Sequence, residues 1–164
     1  MLNILALGFA LAKAVLAIGN AVVENNCDFP VYLRSVGREV SPAFYLGPRG
    51  GRFSEPYSRD PTFGQALKIT LGPDDVFDPT RPQTVYGYTL SEPFIYYDLD
   101  DVRGNIFAGK RLVQRSTDDA CPSNVWPQGV PVEPHVHNCR DSEADIILTL
   151  CSAERGLYYN TWEL

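Results

Sequence analysis

The chain has little from which to build helices. Of its 164 residues one is Met and three are Lys, whereas Gly and Pro supply 13 each and aromatic residues 12%. That balance favours short strands joined by turns. No apolar run reaches the ~20 residues needed to cross a bilayer. Clustered cations are absent too: Lys110-Arg111 is an isolated pair, and the formal charge is −6. Nucleic acid and membrane surfaces are therefore excluded as partners, since both are held by concentrated Lys and Arg. There is no serine nucleophile elbow, no glycine-rich dinucleotide fingerprint and no phosphate-binding loop, so no cofactor is implied. No N-glycosylation sequon occurs.

What is present begins with an address. Ile4 to Ala12 is apolar or small, Lys13 interrupts, and Ala14 to Ile18 resumes the run. Too short to span, this suits a secretory signal peptide over residues 1–19, followed by one domain over residues 20–164. Val15-Leu16-Ala17 and Ala17-Ile18-Gly19 are the two candidate cleavage sites. A secreted location outside the cell or in its wall is expected.

Four cysteines, an even count, point to disulfides in an exported chain. Close Cys pairs of the kind that hold zinc are missing. Of three connectivities the expected one joins Cys121 to Cys139, closing a loop with four prolines, and Cys27 to Cys151, joining the domain's ends. By loop entropy the first contributes ~3 kcal/mol and the second ~5.

Gln65 to Leu71 and Asp145 to Leu150 alternate apolar and polar residues, the period of a half-buried strand. In the first, Leu67, Ile69 and Leu71 are expected on one face. Phe29 to Val36, Gln83 to Leu90 and Phe94 to Leu99 also read as strands, with Gly/Pro/Asp turns between them. The pattern predicts an all-β fold, a β-sandwich of antiparallel strands with two disulfides.

Three groups of residues could carry chemistry. An acidic and aromatic band runs from Asp74 to Asp101 and includes Asp98, Asp100, Asp101, Tyr96 and Tyr97. Sugar sites use this mixture, because rings stack on C–H faces and carboxylates accept hydroxyl hydrogen bonds. Core packing and turn formation use the same residues. Trp126, inside the proline-rich loop, is either a surface stacking residue or part of a small satellite core. His135 and His137, two apart on an extended segment, share a face and could meet one metal ion.

Several stretches resemble thaumatin-like proteins. Val23-Glu24-Asn25-Asn26-Cys27 with Pro30-Val31-Tyr32-Leu33 is similar to their opening strands. Ile95-Tyr96-Tyr97-Asp98-Leu99 resembles their tyrosine–aspartate strand, and Ile147 to Cys151 their last strand and final cysteine. Within that group, Tyr97-Asp98-Leu99, Phe107-Ala108-Gly109, Cys121-Pro122, Trp126-Pro127 and Gly129-Val130 resemble the blastomyces yeast-phase-specific proteins of fungi. The resemblance implies a thaumatin-like β-sandwich, a first-to-last disulfide, export from a fungal cell and production in the yeast phase. Some thaumatin-like proteins have an acidic cleft that binds or weakly hydrolyses β-1,3-glucan. Asp98 matches one aspartate of that cleft, but Gly87 stands at its glutamate and no arginine is found near Gly72. The expected function is thus a non-enzymatic secreted protein binding cell-wall polysaccharide. The alternatives are a weak β-1,3-glucanase using Asp98, and a structural or host-surface protein without a small ligand.

Overall fold

The computed structural model describes residues 17–60 and 62–153. Most of the expected signal peptide, and the end of the chain from residue 154, lie outside the described residues. The described residues form eleven strands: β1 Asn20–Asn25, β2 Val31–Val36, β3 Phe44–Leu46, β4 Gly51–Pro56, β5 Gln65–Thr70, β6 Gln83–Ser91, β7 Phe94–Val102, β8 Leu112–Ser116, β9 Asn124–Trp126, β10 Val136–Cys139 and β11 Ile146–Leu150. A single 3-10 turn, Asp75–Phe77, follows β5. Among the described residues no helix is long and apolar enough to cross a membrane.

The strands make two sheets, one ordered β4-β1-β11-β8-β9 and the other β10-β7-β6-β5-β2-β3. Their apolar faces meet over Val23, Leu33, Leu67, Ile69, Tyr86, Leu99, Leu148 and their neighbours, all buried. Buried side chains bridge the layers. Tyr86 on β6 donates its hydroxyl to the Ile146 carbonyl on β11 (3.0 Å), and the buried Gln114 on β8 donates its side-chain amide to the Asp98 carbonyl on β7 (3.1 Å); Tyr57, at the end of β4, donates to Ala144 (2.7 Å) within one sheet. A tyrosine can fill a sandwich core this way because its hydroxyl reaches a carbonyl on the facing layer.

One pairing departs from the antiparallel expectation: β1 and β11 run parallel, with Ala21 opposite Ile146 and Asn25 opposite Leu150. The reason lies in the staple. Cys27 follows β1 and Cys151 follows β11, and they are bonded with Cα atoms 4.9 Å apart. Two strands whose C-terminal ends are tied together must point the same way. Cys121 and Cys139 form the second disulfide. A second correction concerns Leu71. β5 stops at Thr70, and Leu71 is 49% exposed at the head of the following turn. The packed chain also starts before Asn20. Ile18 packs against the core, and the Gly19 amide donates to the Ser142 carbonyl (2.9 Å).

Candidate functional site

The outer face of the six-stranded sheet is fixed by the phase of β7. Ile95, Tyr97 and Leu99 are buried, so Tyr96, Asp98 and Asp100 point outward. Strand β6 pairs with β7 in nine-residue register, placing Gly87 opposite Asp98 and Thr89 opposite Tyr96. Beyond Gly87 the next residue across the sheet is Ala66 on β5. Small residues at these crossing points leave a groove of about 240 Å³, bordered by Gly64, Gly87, Thr89, Tyr96, Asp98 and Val136.

Gly87 allows Asp98 to lie across the neighbouring strand. A β-carbon at that position would sit 2.1 Å from Asp98 Oδ1. Burial raises the Asp98 carboxyl above its ordinary value, His135 opposes the shift and Asp100 adds to it. Among the described residues no other residue donates a hydrogen bond or forms an ion pair to this carboxylate. From behind, the buried Gln114 amide donates to the Asp98 carbonyl (3.1 Å), and Asn124 donates to the Gln114 side-chain oxygen (2.7 Å). The facing sheet thus holds the Asp98 backbone in place while its side chain lies over Gly87. Tyr96 beside it is 42% exposed, with Phe94 at a ring separation of 6.2 Å.

The other expected residues fall elsewhere. Asp100 is outward and exposed, and accepts the Asp101 backbone amide (2.8 Å). Asp101 points to the opposite face, where it accepts from the Thr84 hydroxyl and the Asn105 amide. It braces a turn and does not join the groove. Tyr97 is 1% exposed, donates to the Pro122 carbonyl, and has its hydroxyl pushed up to about 12 by burial. Trp126 is wholly buried, and it belongs to the principal core, not a satellite. Neither ring offers a face for stacking, which corrects the expectation that Tyr97 and Trp126 bind ligand.

The two histidines have different neighbours. His137 lies on β10 opposite the inward Tyr97, with ring centres 6.1 Å apart. His135 precedes the strand, its Nδ1 2.9 Å from a Glu133 carboxylate oxygen but off line for a hydrogen bond. Among the described residues the one cluster with metal-ligand spacing is Asp118, Cys121 and Cys139, and its sulfurs are spent in a disulfide.

A second depression, of about 480 Å³, was not foreseen from the sequence. Its lining includes Ser35, Arg38, Glu55, Ser58, Asp60 and Phe63. Glu55 on β4 accepts from the Ser35 hydroxyl (3.0 Å) and the Tyr88 hydroxyl (2.8 Å) through the same oxygen. Asp60 accepts from the Thr62 and Phe63 amides and pairs with Arg38, and these donors hold its carboxyl below the usual value. The available sequence signal was the alternation of Phe53 and Glu55 in Gly51–Pro56, which marks Glu55 as inward-pointing on an edge strand.

Comparison with known proteins agrees with this architecture. Residues 8–152 match the family described as Blastomyces yeast-phase-specific protein. An antigenic thaumatin-like protein of Arthroderma benhamiae is 31% identical over 87% of this chain and 77% of its own. Among solved structures, the protein elicitor MoHrip2 of Magnaporthe oryzae superposes with a TM-score of 0.66 at 24% identity, covering 82% of this chain and 99% of its own. The thaumatin-like xylanase inhibitor TLXI does so with a TM-score of 0.54 at 11% identity, over 80% and 99% of the two chains. These two show a shared thaumatin-like fold. The chain belongs to the Blastomyces yeast-phase-specific protein family.

Proposed function

We propose that this is a secreted, non-catalytic protein that binds a cell-wall glucan in the groove over Gly87. The observation that carries the reading is the Asp98 carboxylate, half-buried, without a hydrogen bond from any other described residue and set beside the exposed Tyr96 ring. A half-buried carboxylate with acceptor capacity to spare gains from a ligand rich in hydroxyls, and a ring beside it supplies a stacking surface. Two disulfides and an antigenic relative support an extracellular place. Family membership supports production in the yeast phase, which transcript levels in yeast and hyphal cultures would test.

Retention on insoluble β-1,3-glucan is the direct test. The wild-type protein should be retained, and Asp98→Ala and Tyr96→Ala should each weaken retention about tenfold, the effect of losing ~1.4 kcal/mol. Equal retention of all three would overturn the reading. Failure to bind any wall polysaccharide would favour a structural or host-surface role instead.

One observation favours the glucanase alternative. Asp98 and Asp100 share a face two residues apart, about 7 Å along a strand. A raised carboxyl suits a general acid. Against it, the position across from Asp98 is Gly87, so no carboxylate faces Asp98 across the adjacent strand. Release of reducing ends from laminarin, lost in Asp98→Asn, would decide for catalysis.

A further inference from the structure

The outer face of the five-stranded sheet, on the far side of the sandwich from Gly87, is not flat. The phase of its strands sends Val113 and Arg115 of β8, Val125 of β9 and Thr149 of β11 outward. Thr149 lies opposite Val113, and Val113 opposite Val125, so the three make one row across the sheet. Arg111, Arg115, Ser123 and Ser152 surround that row in a trough of about 490 Å³.

The floor of the trough is apolar, with Val125 38% exposed and Val113 half-buried. Its ends are cationic. Arg111 and Arg115 stand four residues apart, about 13 Å along a strand, and neither forms an ion pair among the described residues. A chain of net charge −6 thus sets two arginines around a small hydrophobic floor. Guanidinium groups in that setting take carboxylates and the faces of aromatic rings.

The chain is itself delivered to this place. Cys151, at φ 51°, turns the backbone out of β11. The Ser152 amide then donates to the Arg111 carbonyl (2.8 Å), and Arg111 Nη1 donates to the Ser152 hydroxyl (2.9 Å). Ser152 and Ala153 therefore line the trough. The sequence continues as Glu154-Arg155-Gly156-Leu157-Tyr158-Tyr159-Asn160-Thr161-Trp162-Glu163-Leu164. These eleven residues bring three aromatic rings, two leucines and two carboxylates against one cation. Fully extended they would reach up to about 36 Å, well beyond the length of the trough.

We propose that the trough is a docking surface for residues 154–164 of this chain, its valine floor taking the aromatic rings and its arginines the carboxylates. The inference does not involve the groove over Gly87 and is independent of the glucan reading.

Trp162 provides the readout, because the other tryptophan, Trp126, is wholly buried. Acrylamide should quench Trp162 in the full chain about fivefold less than in a synthetic peptide of residues 154–164, as for a segment docked about four-fifths of the time. Arg115→Glu and Val125→Asp, both at exposed outer positions, should each restore most of the quenching while circular dichroism shows the fold intact. Lys68→Glu, the same change of charge on the other sheet, should leave it weak. Quenching in the full chain equal to that of the peptide would overturn docking. Weak quenching that survives both trough variants, or that Lys68→Glu relieves equally, would overturn the trough as its site. Protection that grows with protein concentration would mean that a second copy's segment fills the trough, and would overturn docking within one chain.

Discussion

Gly87 and Asp98 face each other across β6 and β7, and the Asp98 carboxylate fills the place where a side chain on Gly87 would begin. The groove therefore depends on what residue 87 lacks. Gly87→Ala would press a methyl group against the free end of Asp98, a side chain that can swing away into solvent. Stability should change by about 1 kcal/mol or less, because Ala suits a strand at least as well as Gly. Glucan retention should fall about as far as in Asp98→Ala, since the carboxylate leaves its position. Carbon-13 NMR of the Asp98 carboxyl would show its titration moving down toward the ordinary value. An unmoved titration in a folded Gly87→Ala protein would contradict this account.

The raised Asp98 carboxyl also links stability to pH. Burial is the main cause, so ionising the group destabilises the folded state relative to the unfolded chain. That penalty is absent below the ordinary value of 3.8, grows as pH rises through the folded value, and is complete above it. Asp98→Asn should therefore melt at a higher temperature than wild type at pH 7. The gap should close as pH falls toward 3.8. Thermal melts across that range, followed by circular dichroism, are the measurement. A gap of constant size would mean that the carboxyl is not the source.

The sequence made β5, β6, β7 and β11 legible because each is long enough to show its period and lies within a sheet. The three-residue strands β3 and β9 and the four-residue β10 have no such signal. Their backbone pairing is decided by neighbours distant in the chain. The parallel β1–β11 contact was hidden for the same reason, although the cysteines that enforce it were paired correctly. On β7, Asp98 and Tyr96 share the outer face, whereas Tyr97, grouped with them in the acidic and aromatic band, faces inward. The phase was there to read: Ile95, Tyr97 and Leu99 alternate with Tyr96, Asp98 and Asp100, so one tyrosine had to face inward. Trp126 was harder, because a three-residue strand does not announce which face is buried. The depression beside Glu55 was out of reach, since it gathers residues from three stretches, around Ser35, Glu55 and Phe63.

Asn25 shows how much one polar side chain can hold at the stapled end of the sandwich. It is fully buried, its amide nitrogen lies within reach of the carbonyls of Phe29, Leu46 and Gly47, and its oxygen accepts the Cys27 amide. Asn25→Ala should cost about 2–3 kcal/mol, the range for stranding buried backbone groups. Asn25→Asp should be worse although nearly the same size, because a carboxylate would face three carbonyl oxygens with no hydrogen to offer. Urea unfolding with the disulfides intact would rank the three proteins. If the aspartate variant proved the more stable of the two, the assigned amide orientation would be wrong.

The N-terminal edge of the fold distinguishes the two candidate cleavage sites. Gly19 donates its amide to Ser142 and accepts from the Tyr57 amide, and a β-carbon on it would lie 2.2 Å from the Ala144 carbonyl oxygen. Ile18 packs against the core just before it. Cleavage after Gly19 would discard both residues, strip two backbone hydrogen bonds from the start of β1 and uncover apolar surface. Cleavage after Ala17 would keep all of these contacts and still follow a small residue, as signal processing requires. Under the proposed export, the mature chain should therefore begin at Ile18. Intact-mass measurement of material collected outside the cell would identify its first residue, and a mature chain beginning at Asn20 would show that these contacts are dispensable.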